Sequence, residues 1–334
     1  MKKVHTMRHI AIASSHSLEF WLRQTPQGGG LWADDQFVVN DPNASALFVI
    51  DDAPQGFATK TPVERRVFVV TEPTGVRSYN RAFLEQFGLI LSPFSFDTGK
   101  VPLKITQTGL PWFYGMTFTD SGVKPTLSFE DLVSLTPETK QATLSVVCST
   151  KSNLPRHRER LTFLSALKDR LGDRLIIRGR GFTPIMDKAE AIAGSRYHLV
   201  LENNDLGCFW TEKLADAFLG WSLPLFAGPR AAVNDFPDGS LVFIDLENPQ
   251  AALAKVVSIL DADPYEQKLP LIAAARQKLL YEHNFFALAG RVADALPMTD
   301  LLKTPAVLIT SSRASLLKRL RRSLRAGVKA LLSR

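Results

Sequence analysis

The sequence predicts an α/β protein of two doubly wound, Rossmann-like domains followed by a basic amphipathic C-terminal helix. Three observations carry that expectation. Short apolar runs alternate with segments of helical period from residue 10 to residue 283. A stretch at 92–140, richer in Pro, Thr and aromatics, separates two such series. The basic residues then crowd at the C-terminal end. A length of 334 residues suits two domains, and 45% apolar with 22% charged residues excludes a disordered chain.

In the first series, Ile10–Ala13 reads as a strand and Ser17–Arg23 as the helix after it. Pro26 and the glycines 28–30 break the chain. The runs Ala46–Ile50 and Arg66–Val70 read as parallel strands buried on both faces. Ser78–Gln86 reads as a helix and Leu89–Leu91 as the next strand. In the second series the strands are Leu144–Cys148, Leu175–Ile177, Tyr197–Leu201, Leu223–Phe226 and Leu241–Ile244. Helices fall between them: Arg158–Leu171, Asp187–Ala193, Glu212–Leu219, and finally Gln250–Leu260 and Glu266–His283. Domains are expected at 1–140, 141–297 and 298–334, with the crevice between the first two as the default ligand site.

Residues 301–334 carry nine Lys and Arg and no acid, and subtracting those nine from the net +7 leaves −2 for residues 1–300. A nucleic-acid-binding body should carry a basic face of its own, so no nucleic-acid partner is expected. Leu316, Leu320, Leu324, Val328 and Leu332 recur every four residues, with Lys318, Arg319, Arg322, Arg325 and Lys329 on the other side of the wheel. Such a helix suits an anionic membrane surface, engaged through residues 313–334, or packs its leucines on the body. Two cysteines make no disulfide framework, and no apolar run reaches the roughly 18–20 residues of a membrane span. Ile10–Ala13 is too short for a signal-peptide core. The expected location is cytoplasmic, peripheral at the inner face of the membrane.

Motifs exclude several chemistries. Gly-x-Gly-x-x-Gly, Walker A, His-Glu-x-x-His, paired Cys-x-x-Cys and Gly-x-Ser-x-Gly are all missing. Asp261-Ala262-Asp263 has metal–diphosphate spacing, but Pro264 follows and the triplet reads as a helix stop. His198, inside a strand, reads as a packed, hydrogen-bonded residue. The informative segment runs from Tyr197 to Pro229. A strand ends at Glu202-Asn203, a loop follows, and Thr211 is a good N-cap for the next helix. A helix N-terminus at the carboxyl end of a parallel strand suits a phosphate. Lys213 opposes the macrodipole there, a conflict expected of a ligand-serving residue. The same residues also fit a plain Thr-Glu capping start with a solvated lysine.

This segment resembles the C-terminal signature of the family-ten glycosyltransferases, the α1,3/α1,4-fucosyltransferases, in their bacterial form. Glu202-Asn203, Thr211-Glu212-Lys213, Pro224 and Gly228 stand in the register of that signature. Leu201 replaces an aromatic, and Phe209 stands where the family often has Tyr. Arg160–Leu167 resembles the family's Arg-x-x-Phe-x-x-x-Leu helix, and Val69–Pro73 its strand ending in Glu-Pro. The likeness runs from about residue 65 to 260.

The resemblance implies a GT-B architecture and a GDP-activated sugar donor. It makes Glu72 the general base. It assigns the donor diphosphate to Arg160 and Lys213, the ribose to Glu212, and further donor contacts to Asn203, Phe209 and Thr211. The implied reaction is inverting transfer of fucose to a glycan hydroxyl, on a lipid-linked surface polysaccharide or lipopolysaccharide. One base and a positive field on the leaving diphosphate suffice for it, with no tightly bound cofactor or metal. A different nucleotide sugar on the same fold, or a non-catalytic nucleotide- or glycan-binding protein at a membrane, are the alternatives.

Overall fold

The computed structural model describes residues 7–119, 122–152, 155–298 and 305–312. The chain divides into two compact units. The first comprises Met1–Leu18, Gly30–Thr108 and Ala289–Arg334, the second Glu19–Gly29 and Gly109–Leu288.

The first unit holds a seven-stranded sheet of β1 (Arg8–Ala13), β2 (Leu31–Trp32), β3 (Asp35–Val39), β4 (Ala46–Ile50), β5 (Arg66–Val69), β6 (Leu89–Ser92) and β7 (Leu103–Ile105). The strands run in the order β2-β3-β1-β4-β5-β6-β7, all parallel except the β2–β3 hairpin. β5 is apolar after its first residue and wholly buried, as a parallel strand covered on both faces must be. Phe68 on β5 is packed by Tyr79, Phe83 and Phe87, with ring centroids 4.8–5.2 Å away. The expected helix Ser78–Gln86 shrinks to Arg81–Leu84, capped by the Asn80 side chain on the Phe83 amide. β3 lies outside the elements the sequence predicts. Its first residue, Asp35, is a buried carboxylate that takes both Nε and Nη2 of Arg8, at 2.6 and 2.7 Å.

The stretch 305–312 docks on this unit. Val307–Leu308 pairs antiparallel with Ala58–Thr59, and Ile309 is buried. Thr310 donates its amide and its hydroxyl to Gln86 Oε1, both at 2.8 Å. Ser311 and Ser312 then close on the Asp52 carboxylate at 2.8–3.1 Å. The amphipathic helix expected at 313–334 lies outside the described residues. Among the described residues, no helix is long and apolar enough to cross a membrane.

The second unit holds β8 (Gln141–Val147), β9 (Leu175–Arg178), β10 (Ser195–Leu201), β11 (Leu223–Ala227) and β12 (Val242–Phe243), ordered β9-β8-β10-β11-β12 and parallel throughout. Its principal helices are α1 (Pro155–Leu171), α2 (Glu212–Leu219), α3 (Pro249–Ala262) and α4 (Tyr265–Tyr281). The strand order reverses between β8 and β10, so the crevice outside the carboxyl ends of those two strands is the expected ligand position. α3 ends at Ala262 with Asp263 left-handed at φ 41°, so the Asp-Ala-Asp triplet is a helix stop. Asp263 then accepts from the Tyr197 hydroxyl at 2.6 Å. His198 is buried on β10 against Ser145 Oγ at 2.8 Å, and burial pushes its pKa down to about 3, a packed neutral ring.

The expected boundary at residue 140 is corrected: residues 109–140 belong to the second unit. Buried polar groups hold them there. Arg23 gives its guanidinium to the carbonyls of Gly115, Trp112 and Tyr114 at 2.8–3.0 Å. Asp216 on α2 accepts the amides of Phe113 and Tyr114, each at 2.8 Å. Sequence periodicity does not report such long-range bonds to backbone.

The turn after β9 needs glycine. Gly179 has φ +120°, and a Cβ there would lie 2.2 Å from the Cys148 carbonyl oxygen. Gly179→Ala is expected to destabilise the protein by about 2–4 kcal/mol, combining backbone strain with a clash that only movement of β8's end relieves. Gly194→Ala, where a Cβ meets nothing within 4 Å, should change urea stability little.

Candidate functional site

β10 ends at Leu201, and the next residue, Glu202, is 1% exposed. Its carboxylate sits at the start of α2. Oε1 accepts the Thr211 amide at 2.8 Å, and the Thr211 hydroxyl lies 2.9 Å from both oxygens. The orphan amides and positive dipole end of a helix favour an anion there, and this helix is supplied with one by the chain itself. The lysine two residues into α2 is thereby explained. Lys213 Nζ lies 3.3 Å from Glu202 Oε2 and 3.4 Å from Glu212 Oε1.

The ion pairs continue along α2. Lys188 Nζ lies 3.4 Å from Glu212 Oε1 and 2.7 Å from Asp216 Oδ2. Glu202, Lys213, Glu212, Lys188 and Asp216 therefore form one chain of alternating charge. Burial alone pushes the Glu212 carboxyl up, but Lys213 and then Lys188 outweigh it and hold the pKa at about 2. Burial likewise pulls the Lys213 ammonium down, and Glu202 and Glu212 outweigh it, so its pKa stands above the ordinary lysine value. Asp216, fully buried, is pushed up by that burial against the pull of Lys188.

Arg160 comes from α1, which follows β8, and is 5% exposed. Its Nη1 donates to Asn203 Oδ1, and its buried Nε has no hydrogen-bond partner. The Cys148 thiol at the end of β8 is pushed up by burial while the charges of Arg160 and Lys213 pull it down, so both cations act on one point. Arg160, Asn203, Glu212 and Lys213 thus gather at the carboxyl ends of β8 and β10, where the strand order reverses.

Two expected contacts are corrected. Phe209 is 1% exposed, so its ring offers no surface to a ligand. Thr211 has its amide and hydroxyl committed to Glu202, so it serves the helix start instead of a phosphate. Sequence reasoning left out Glu202, Asp216 and Lys188. Glu202 stands inside the quoted Glu-Asn motif and Lys188 inside the expected helix Asp187–Ala193; Asp216 carries one signal, its place one turn after Glu212 on the same helix face.

Glu72 belongs to the first unit, exposed and just past the end of β5. Near it, Asp51 at φ 60° accepts the Tyr79 hydroxyl at 2.6 Å, and Arg77 bridges Asp51 and Asp52. Burial first, then Asp51, pushes the Tyr79 phenol far up; the charge of Glu72 adds to this. These groups stand at the carboxyl end of a sheet whose order reverses between β1 and β4.

No protein-family model matches the chain, and no curated protein sequence matches it. Among solved structures, an α1,3-fucosyltransferase with GDP is similar at 17% identity, over 91% of this chain and 95% of that one, with a TM-score of 0.51. An α1,3-fucosyltransferase with GDP-fucose is similar at 16% identity over 88% and 92%, with a TM-score of 0.48. The first likeness establishes the fold: two Rossmann-like units of the GT-B glycosyltransferase class, as the sequence predicts.

The Glu212 carboxyl moves from an ordinary 4.5 to about 2 on folding, a shift worth on the order of 3 kcal/mol. A folded pKa below the unfolded one stabilises above the unfolded value, and that contribution fades as pH falls through the folded one. The stability difference between wild type and Glu212→Gln should therefore be large at pH 6 and shrink steadily from pH 4.5 to pH 2 in urea titrations. A difference independent of pH would show that Glu212 is not held ionised.

Proposed function

We propose that this protein is an inverting glycosyltransferase that moves fucose from GDP-fucose to a hydroxyl of a glycan. The observation that carries the reading is the pair of cations, Arg160 and Lys213, brought from two helices to the switch point of a parallel sheet. A nucleoside diphosphate carries its negative charge at that crevice in doubly wound folds. Asn203 orients Arg160 and lies within reach of the same ligand, and Glu212 accepts the ribose hydroxyls.

The acceptor oxygen attacks the anomeric carbon as the bond to the diphosphate oxygen breaks. The acceptor's proton passes to Glu72, and the electron pair leaves on the diphosphate. Charge grows on the leaving group in the transition state, where fixed cations stabilise it most. Arg160 and Lys213 supply that field without a resident cofactor. The motif register of residues 202–228 and of Glu72 supports fucose and a general base in particular. The acceptor is a lipid-linked surface polysaccharide or lipopolysaccharide, reached at the inner face of the cytoplasmic membrane. The basic amphipathic pattern of residues 313–334 supports that location through attraction to anionic lipid.

Thermal unfolding with GDP, GDP-fucose, GDP-mannose, UDP, UDP-glucose and CMP-sialic acid tests the donor. GDP and GDP-fucose should raise Tm in a concentration-dependent way, and Lys213→Ala should abolish the rise. A rise with a uridine or cytidine nucleotide instead would keep glycosyl transfer and discard fucose; no rise with any would overturn the reading.

Glu72→Gln should retain the GDP shift and lose about 10²–10⁴-fold in turnover with an accepted glycan. Binding without turnover by the wild type against any acceptor would leave a nucleotide-binding protein. Full-length protein should sediment with anionic vesicles and not with neutral ones, and a chain ending at residue 312 with neither; equal sedimentation of both chains would discard the membrane role.

A further inference from the structure

We propose that Lys188 is a positioning residue that sets Glu212 for recognition of the ribose hydroxyls, acting through a rigid link from Asp216. The inference rests on the donor-site reading of Glu212 given above and names a residue which that reading does not use.

The link is built from the backbone outward. The amides of Phe113 and Tyr114 fix one oxygen of Asp216, Oδ1, at 2.8 Å each, and the side chain is 1% exposed. The other oxygen, Oδ2, holds Lys188 Nζ at 2.7 Å. Lys188 is fixed from its own side as well. Its neighbour Asp187 accepts the Gly115 and Ala189 amides at 3.0 and 2.8 Å and the Thr126 hydroxyl at 2.9 Å. The ammonium also stands 4.9 Å from the centre of the Phe113 ring, a cation–π distance. An ammonium held in this way cannot follow Glu212 about; Glu212 must come to it.

Glu212 needs such a fixture. It stands 3.4 Å from Lys213 on one hand and 3.4 Å from Lys188 on the other, both through Oε1. With Lys213 alone, the carboxylate would follow a cation that must itself turn to a diphosphate. A second, immobile ammonium on the same oxygen keeps Glu212 in place when Lys213 engages its ligand. Hydroxyl recognition depends on that placement, because a carboxylate must face the hydroxyl in line to discriminate against its loss.

The test compares GDP with 2′-deoxyguanosine diphosphate, or UDP with its 2′-deoxy form if the uridine nucleotide binds, by titration calorimetry. Wild type should prefer the ribonucleotide by roughly 10–100-fold, as expected where a buried polar group loses its partner. Lys188→Met should bring the preference within about 3-fold, and Lys188→Arg should restore most of it. If Lys188→Met melts early because Asp216 is left unpaired, the pair Lys188→Met with Asp216→Asn removes that charge, and the same collapse of the preference is expected. An unchanged ratio in the Met variants, or equal weakening of both nucleotides, would overturn the positioning role and leave the ribose reading standing. A wild type that binds but does not distinguish the two nucleotides would overturn the ribose reading of Glu212 and this inference together.

Discussion

The buried carboxylate of Glu202 is the constraint on which the second unit's site depends. It leaves the end of β10 and occupies the N-terminus of α2, taking the place that a ligand anion would otherwise fill. An anion at that position suits the helix dipole and satisfies the first amide. It also makes a lysine tolerable in the first turn, where dipole and lysine would otherwise repel. Lys213 is thereby held at the head of the helix with its charge kept, and the rest of the alternating chain follows from it. Breaking the first pair leaves an uncompensated buried charge, a large cost for a group this enclosed.

Much of this architecture is legible in the sequence because strand burial leaves a plain trace. Ala46–Ile50, Tyr197–Leu201 and Leu223–Phe226 are continuous apolar runs, and each is a parallel strand covered on both faces. β3 escapes for the opposite reason. Its first two residues are Asp35 and Gln36, and only the long-range partner Arg8 makes the buried aspartate acceptable. The helix Phe285–Ala295 also lies outside the expected elements; only Asn284 separates its start from the end of the expected helix Glu266–His283.

The site divides along the same line. Arg160, Asn203, Glu212 and Lys213, which the resemblance groups, lie at one edge of the sheet, since two strand–helix junctions at one switch point bring residues 160, 203 and 212–213 there. Thr211 and Phe209 turn inward, and spacing alone cannot tell an inward side chain from an outward one on a loop. Asp216 and Lys188 stand 28 positions apart, and no spacing in the sequence pairs them. Asp216 also fastens residues 113–114.

An alternating chain of three carboxylates and two ammoniums does more than hold the fold, because well-packed apolar residues of similar volume could do that as well. Its merit is fixed geometry at the place where charge must be met. Lys213 is already paired with Glu202 and Glu212, so under the proposed function a diphosphate would have to compete for it. Arg160 differs. Among the described residues it bonds Asn203 and no carboxylate, and its Nε is buried without a partner. An unpaired buried guanidinium nitrogen and an uncancelled charge cost free energy, which an anion able to reach them would offset. On the proposed reading the two cations would divide the work: Arg160 would supply net attraction for an anion, and Lys213 with its carboxylates a fixed frame beside it.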